Sequence, residues 1–173
     1  MNTPQLYDLK ATLPNFPEEV LRDWLLPYAI SEGWPPFAES GLPRGSRWPY
    51  LLGKKPKNYW TSTNWSLHHG HITLEQLDPR TQETIAQIIF AAVKGEKNLY
   101  SNSIPDLKER FDHIFSHLTF KGTLPGAPTL LTQDDGYRVV DGNHRIAAYT
   151  FYCYAAKAQE VVVQPQRFWV GAI

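Results

Sequence analysis

The sequence predicts an α/β (α+β) fold, a small mixed β-sheet with helices packed on it, preceded by a Pro/Trp-rich N-terminal extension. Three observations predict it. Beyond Asp78, apolar residues recur at helical spacing, with Ile85, Ile88, Ile89 and Ala92 at i, i+3, i+4 and i+7. Two strand-like runs, residues 129–132 and 137–140, flank the turn signal Asp135-Gly136. The second run leads straight through Asp141-Gly142 into another helical stretch, residues 144–158.

Taken in order, the first helix is expected near residues 17–28, where Val20, Leu21, Trp24, Leu25 and Tyr28 form one apolar stripe. Asn15 is placed to cap it, with Glu18 as the capping-box partner. The segments Trp34-Pro35-Pro36-Phe37 and Gly41-Leu42-Pro43-Arg44-Gly45 read as irregular chain. A short strand is expected at residues 71–74. Asp78-Pro79 then supplies a helix start, an Asp cap followed by Pro at the first helical position, and Gly95 a stop. A further helix is expected to open at Ser103-Ile104-Pro105-Asp106, with Leu107, Phe111, Ile114, Phe115 and Leu118 facing the core and Gly122 at its end. After the hairpin and the helix that follows it, residues 161–163 and 168–170 are two final strand candidates. The boundary between extension (1–69) and regular domain (70–173) is set where the Pro/Trp-rich composition gives way to periodic patterning.

The chain has 173 residues, 42% hydrophobic and 13% aromatic, a globular composition long enough to bury a core. Formal net charge is zero, so overall charge points to neither nucleic acid nor membrane. The single cysteine, Cys153, rules out an internal disulfide and fits a reducing cytoplasm. The N-terminus lacks the basic and apolar regions of a secretory signal, and no run approaches 18 apolar residues, so no membrane association is expected. Nothing in the pattern sets the oligomeric state.

The chemistry concentrates at Asp141-Gly142-Asn143-His144-Arg145. A β-branched strand ends at Asp141, and Gly142 permits a turn with positive φ. The next amides open a helix and have no intrahelical partners, and the helix dipole adds positive potential. His144 and Arg145 add an imidazole and a guanidinium beside the amides of Asn143 and His144. Donors of three kinds converging on one point suit a phosphate. Asp141 could orient His144 or Arg145, or hold a metal that arrives with the ligand. The plain structural alternative is a capped helix with a surface arginine.

The run Val139-Val140-Asp141-Gly142-Asn143-His144-Arg145-Ile146-Ala147-Ala148 resembles the second signature box of the ParB/sulfiredoxin-like superfamily. The upstream run Leu74-Glu75-Gln76-Leu77-Asp78-Pro79-Arg80-Thr81 resembles the opening strand and helix start of that fold, and the resemblance covers roughly residues 70–173. It implies a nucleotide- or phosphate-binding domain with nuclease or nucleotide-hydrolase chemistry, and Mg²⁺ accompanying the nucleotide. It also implies that Thr81 and Thr84, with Arg80 adjacent, help hold phosphates, and that Glu75 stands in the region of a general base. The sulfiredoxin nucleophile is a cysteine; Asn143 occupies that position here, so sulfinic-acid reduction is not expected. The chain ends at Ile173 without the helix-turn-helix domain of the partition proteins, so DNA reading of that type is not expected either.

Two other features stand beside the turn. Residues 40–74 contain no acid but carry Arg44, Arg47, Lys54, Lys55 and Lys57 among Trp48, Tyr50, Tyr59 and Trp60. Cations interleaved with aromatics suit single-stranded nucleic acid through residues 44–60; a solvated, Pro-rich covering layer accounts for the same composition. His68, His69 and His71 bring imidazoles together, but no further ligand has recognisable spacing, and no resident metal is expected. The expected function is therefore catalysis on a phosphodiester or a nucleotide phosphate by His144, Arg145, Asp141 and Glu75. The alternative is a non-catalytic ligand- or partner-binding module that works through its aromatic, basic N-terminal surface.

Overall fold

The computed structural model describes residues 3–173. The chain divides into two compact units, one of residues up to 66 together with 171–173, the other of residues 67–170.

The first unit is helical. It holds α1 (Leu6–Thr12), then α2 (Glu18–Val20), a π-helical turn (Leu21–Leu25) and α3 (Leu26–Glu32), and finally α4 (Arg47–Leu51) and α5 (Lys57–Ser62). The expected helix at 17–28 is the run from α2 to α3, and it continues to Glu32. Its wide turn has a local cause. Pro27 has no N–H to offer the carbonyl four residues back, and just before it the Leu26 N–H reaches Leu21 instead. The expected Asn15 cap is not formed; Pro17 holds the cap position, and the Asn15 amide donates to the carbonyls of Trp60 at 2.9 Å and Thr63 at 2.7 Å. Leu9, Leu13, Phe16, Val20, Leu21, Trp24 and Trp60 are buried. Phe16 lies 4.8 Å from the Trp65 ring and Trp24 lies 5.7 Å from Trp60, edge to face.

The second unit carries the long helices α6 (Pro79–Lys94), α8 (Leu107–Lys121) and α9 (Asn143–Ala158), with the short α7 (Leu99–Ser103) between the first two. The strands are β1 (Asn64–Gly70), β2 (Thr129–Gln133), β3 (Gly136–Asp141) and β4 (Gln166–Ala172), in the sheet order β1-β4-β2-β3. The fold is thus α/β, a four-stranded mixed sheet with packed helices. Helix α6 starts as its sequence requires, with the Asp78 carboxylate accepting the Thr81 N–H at 2.9 Å and Pro79 at the first position; Gly95 ends it with φ +67°. The expected helix start at residue 103 splits in two: α7 ends at Ser103 and α8 begins at Leu107. Phe111 and Phe115 of α8 both meet Phe151 of α9, at 6.1 and 5.6 Å, so these two helices pack side by side.

Two strand expectations are corrected. The strand expected at 71–74 lies earlier, at Asn64–Gly70, and Leu74–Gln76 forms a 3₁₀ turn. Residues 161–163 form no strand; Val161 and Val162 are exposed, and β-branched composition without a pairing partner does not make one. The hairpin forms, but its loop is Asp134-Asp135 and Gly136 pairs with Gln133. Gly136 is required for another reason. A Cβ there would fall 2.8 Å from the Gln76 carbonyl oxygen and 2.9 Å from the Asp78 nitrogen, because the chain entering α6 crosses over it.

Candidate functional site at the turn from strand to helix

Strand β3 pairs antiparallel with β2, and the register slips between Thr129 and Leu130, opposite Asp141 and Val139. Val140 is therefore an extra residue, a bulge that re-aims the strand just before the turn. Gly142 follows with φ +95° and caps α9. The Ile146 N–H is the first to bond back along the helix, to the Gly142 carbonyl at 2.9 Å. The amides of Asn143, His144 and Arg145 precede that bond and have no partner within the helix.

Arg145 folds back over this turn. Its Nη2 donates to Asp141 Oδ2 at 2.7 Å, with the two side chains 15% and 22% exposed. Gly142 makes room for it: a Cβ would lie 3.0 Å from the guanidinium and 3.1 Å from Pro128 Cβ. Of the roles open to Asp141, orienting Arg145 is the one its hydrogen bond serves.

His144 interacts instead with charges at the head of α8. It is half-buried, and its Nε2 is buried without a hydrogen-bond partner. At the head of α8, Arg110 Nε donates to Asp106 Oδ2 at 2.8 Å. Burial first, and then the Arg110 charge, hold the His144 pKa below the ordinary imidazole range, against a smaller opposing pull from Asp106. His144 is neutral at pH 7, so the positive charge at this turn comes from Arg145 and the helix amides. The hydrogen bond from Arg110 holds the Asp106 carboxyl below its usual range. Asp106 and Arg110 were not identified as site residues from sequence, although the i,i+4 pair that holds them together is visible there.

The remaining candidates make their hydrogen bonds with other partners. The Leu77–Tyr137 bridge and the bond from the Asp78 N–H to the Tyr137 carbonyl set the start of α6 beside the first residues of β3. Asp141 lies four residues further along that strand, at most about 13 Å at ~3.3 Å per residue. There the buried Asp78 carboxylate also accepts from Arg138 Nε at 2.9 Å. Thr81 is buried, Thr84 bonds the Arg80 carbonyl and the Tyr100 hydroxyl, and Arg80 is exposed. Glu75 is exposed on the 3₁₀ turn, and hydrogen bonds from its own backbone and from Thr73 hold its pKa down, which makes it a weak proton acceptor.

No family model matches the chain, and neither a curated protein nor a solved structure matches it. Among the described residues, no three His, Cys, Asp or Glu side chains are grouped to hold a metal ion. At the turn the nearest carboxylate, Asp141, is occupied by Arg145. Elsewhere in this unit His71 Nδ1 lies 3.0 Å from the buried Tyr149 hydroxyl. Burial, with Cys153 beside it, raises the Tyr149 phenol pKa, and burial raises that of Cys153. Among the described residues no helix is long and apolar enough to cross a membrane.

Proposed function

We propose that the β3–α9 turn binds a phosphate group of a nucleotide or phosphorylated ligand, in a domain of the ParB/sulfiredoxin-like kind, and supports phosphodiester or nucleotide phosphate hydrolysis. One observation carries the reading. Gly142, in a left-handed conformation, heads a 16-residue helix whose first three amides precede the helical ladder, with the Arg145 guanidinium folded against the same glycine. Amides and guanidinium together form a donor set for an anionic oxygen cluster.

In this reading the amides of Asn143 and His144 cradle the phosphate and Arg145 supplies the positive charge that stabilises developing negative charge in transfer. Asp141 fixes Arg145. His144, half-buried and held neutral, contributes its backbone amide here and not a positioned cation. Mg²⁺ would enter with the ligand and neutralise its phosphates. Asn143 stands where a sulfiredoxin carries its nucleophile, so reduction of a sulfinic acid is outside the proposal.

The test is a thermal-shift screen against ATP, ADP, CTP, GTP, inorganic phosphate and a short DNA, each with and without Mg²⁺. A ligand that binds only the folded state raises Tm by mass action. The expected result is a shift with one class of phosphate ligand that Arg145→Ala removes while far-UV circular dichroism is unchanged. Arg145→Lys, which keeps the charge but not the fork, should retain part of it. No shift with any of these ligands, or only shifts that Arg145→Ala leaves in place, would overturn the reading.

A further inference from the structure

We propose that the α4–α5 hairpin of the first unit binds single-stranded nucleic acid, through cations seated on and between tyrosine rings. This inference is independent of the phosphate turn and rests on different residues.

The hairpin, residues 46–62, contains Arg47, Lys54, Lys55 and Lys57 and no acid. All four cations are exposed, and among the described residues none of them pairs with a carboxylate. Their positive potential is therefore not cancelled locally. Arg47 lies over two rings, 5.7 Å from the Tyr28 centroid and 5.6 Å from that of Tyr50; Lys55 lies 5.1 Å from the centroid of Tyr59. The tyrosines hold Arg47 and Lys55 in place and keep ring area in reach of solvent, Tyr50 being 68% exposed.

The loop between the helices is pinned. The Lys54 N–H bonds the Pro49 carbonyl at 2.7 Å, and the Lys55 N–H bonds that of Leu52 at 3.0 Å. Lys54 itself holds φ +59°, a left-handed conformation that a lysine adopts at a cost and a glycine would not. Beside Lys57 an open depression of about 460 Å³ is lined by Ser40, Gly41, Pro56, Asn58 and Thr61, small and polar groups with no acid among them.

Cations track a phosphate backbone and exposed rings stack on unpaired bases. A duplex hides its base faces, and an acidic peptide has none to stack, so the combination selects single strands. The four cations set the salt dependence. At about −0.7 in log K per log salt for each phosphate neutralised, affinity should fall about 50-fold between 50 and 200 mM salt if all four engage.

The experiment is fluorescence anisotropy with labelled oligo-dT and the full chain at both salt concentrations, with polyglutamate and duplex DNA as competitors. The expected result is binding at low salt that Lys54→Glu with Lys55→Glu weakens at least tenfold. Tyr50→Ala should weaken it about fivefold or more, and Arg145→Ala should leave it unchanged. Near-UV circular dichroism of the tryptophans checks that each variant is folded. The proposal is overturned by absence of binding at 50 mM salt or by equal competition from polyglutamate. It is equally overturned if Tyr50→Ala leaves affinity unchanged, or if Arg145→Ala removes binding that the lysine variant retains.

Discussion

Replacing Gly142 by alanine tests the turn on which the functional reading stands. Two costs follow from the structure. At φ +95° the backbone lies where an L-residue is strained, about 1–2 kcal/mol. The new Cβ would also sit 3.0 Å from the Arg145 guanidinium, closer than ordinary contact, and 3.1 Å from Pro128. Arg145 must then give way, lengthening its 2.7 Å bond to Asp141. A hydrogen bond to a charged group contributes about 1.5–3 kcal/mol, and at 15% and 22% exposure this pair is largely shielded from solvent. Gly142→Ala should therefore cost about 2–4 kcal/mol, read from urea denaturation. The diagnostic is a double-mutant cycle with Arg145→Ala. Once the guanidinium is gone the alanine should cost only its backbone strain and its close contact with Pro128, so the coupling should be about 1–2 kcal/mol. A coupling near zero would show that Gly142 and Arg145 act separately and refute the argument that they form one structure.

The other predictions concern burial and backbone approach. His144 is disfavoured as an imidazolium in the folded state, so the unfolded chain binds the additional proton. Its contribution to stability is present above the ordinary imidazole pKa near 6.5 and is lost as pH falls through that value toward the lowered folded one. The urea midpoint should thus decline from pH 8 to pH 5 with a slope that His144→Gln reduces; equal slopes would refute the assignment. Gly136→Ala should cost about 3 kcal/mol or more, since its Cβ would strike main-chain atoms of residues 76–78 at 2.8–2.9 Å and no side-chain rotation can relieve it; a measured cost under about 1 kcal/mol would contradict the close approach. The Cys153 thiol, its pKa raised by burial, should react slowly with a disulfide reagent at pH 7 and rapidly in denaturant, and equal rates in both would contradict it.

The long elements were legible because their signals are local. Asp78-Pro79, Gly95 and Gly122 mark ends of α6 and α8 through caps and left-handed stops that each residue type prefers on its own. Apolar spacing then carried α6, α8 and α9. Short helices such as α1, α4, α5 and α7 run 5–7 residues, too few for a period to show. Strands were harder, because a strand exists by virtue of a partner elsewhere in the chain. Residues 161–163 have the composition and no partner, whereas residues 64–70, polar and rich in histidine, enter the sheet beside β4.

The same division holds at the site. From sequence alone, Asp141-Gly142-Asn143-His144-Arg145 is readable as a strand, a glycine turn and a helix start, since each of those preferences belongs to the residues themselves. Tertiary structure alone decided that Asp141 pairs with Arg145, that His144 is half-buried within reach of the Asp106 and Arg110 charges, and that Thr81 is buried while Thr84 bonds Tyr100. It also decided the charge on His144, because a pKa depends on burial and on the field of neighbours distant in sequence. Residue type determines which conformations and charges are available, and packing determines which of them occur together.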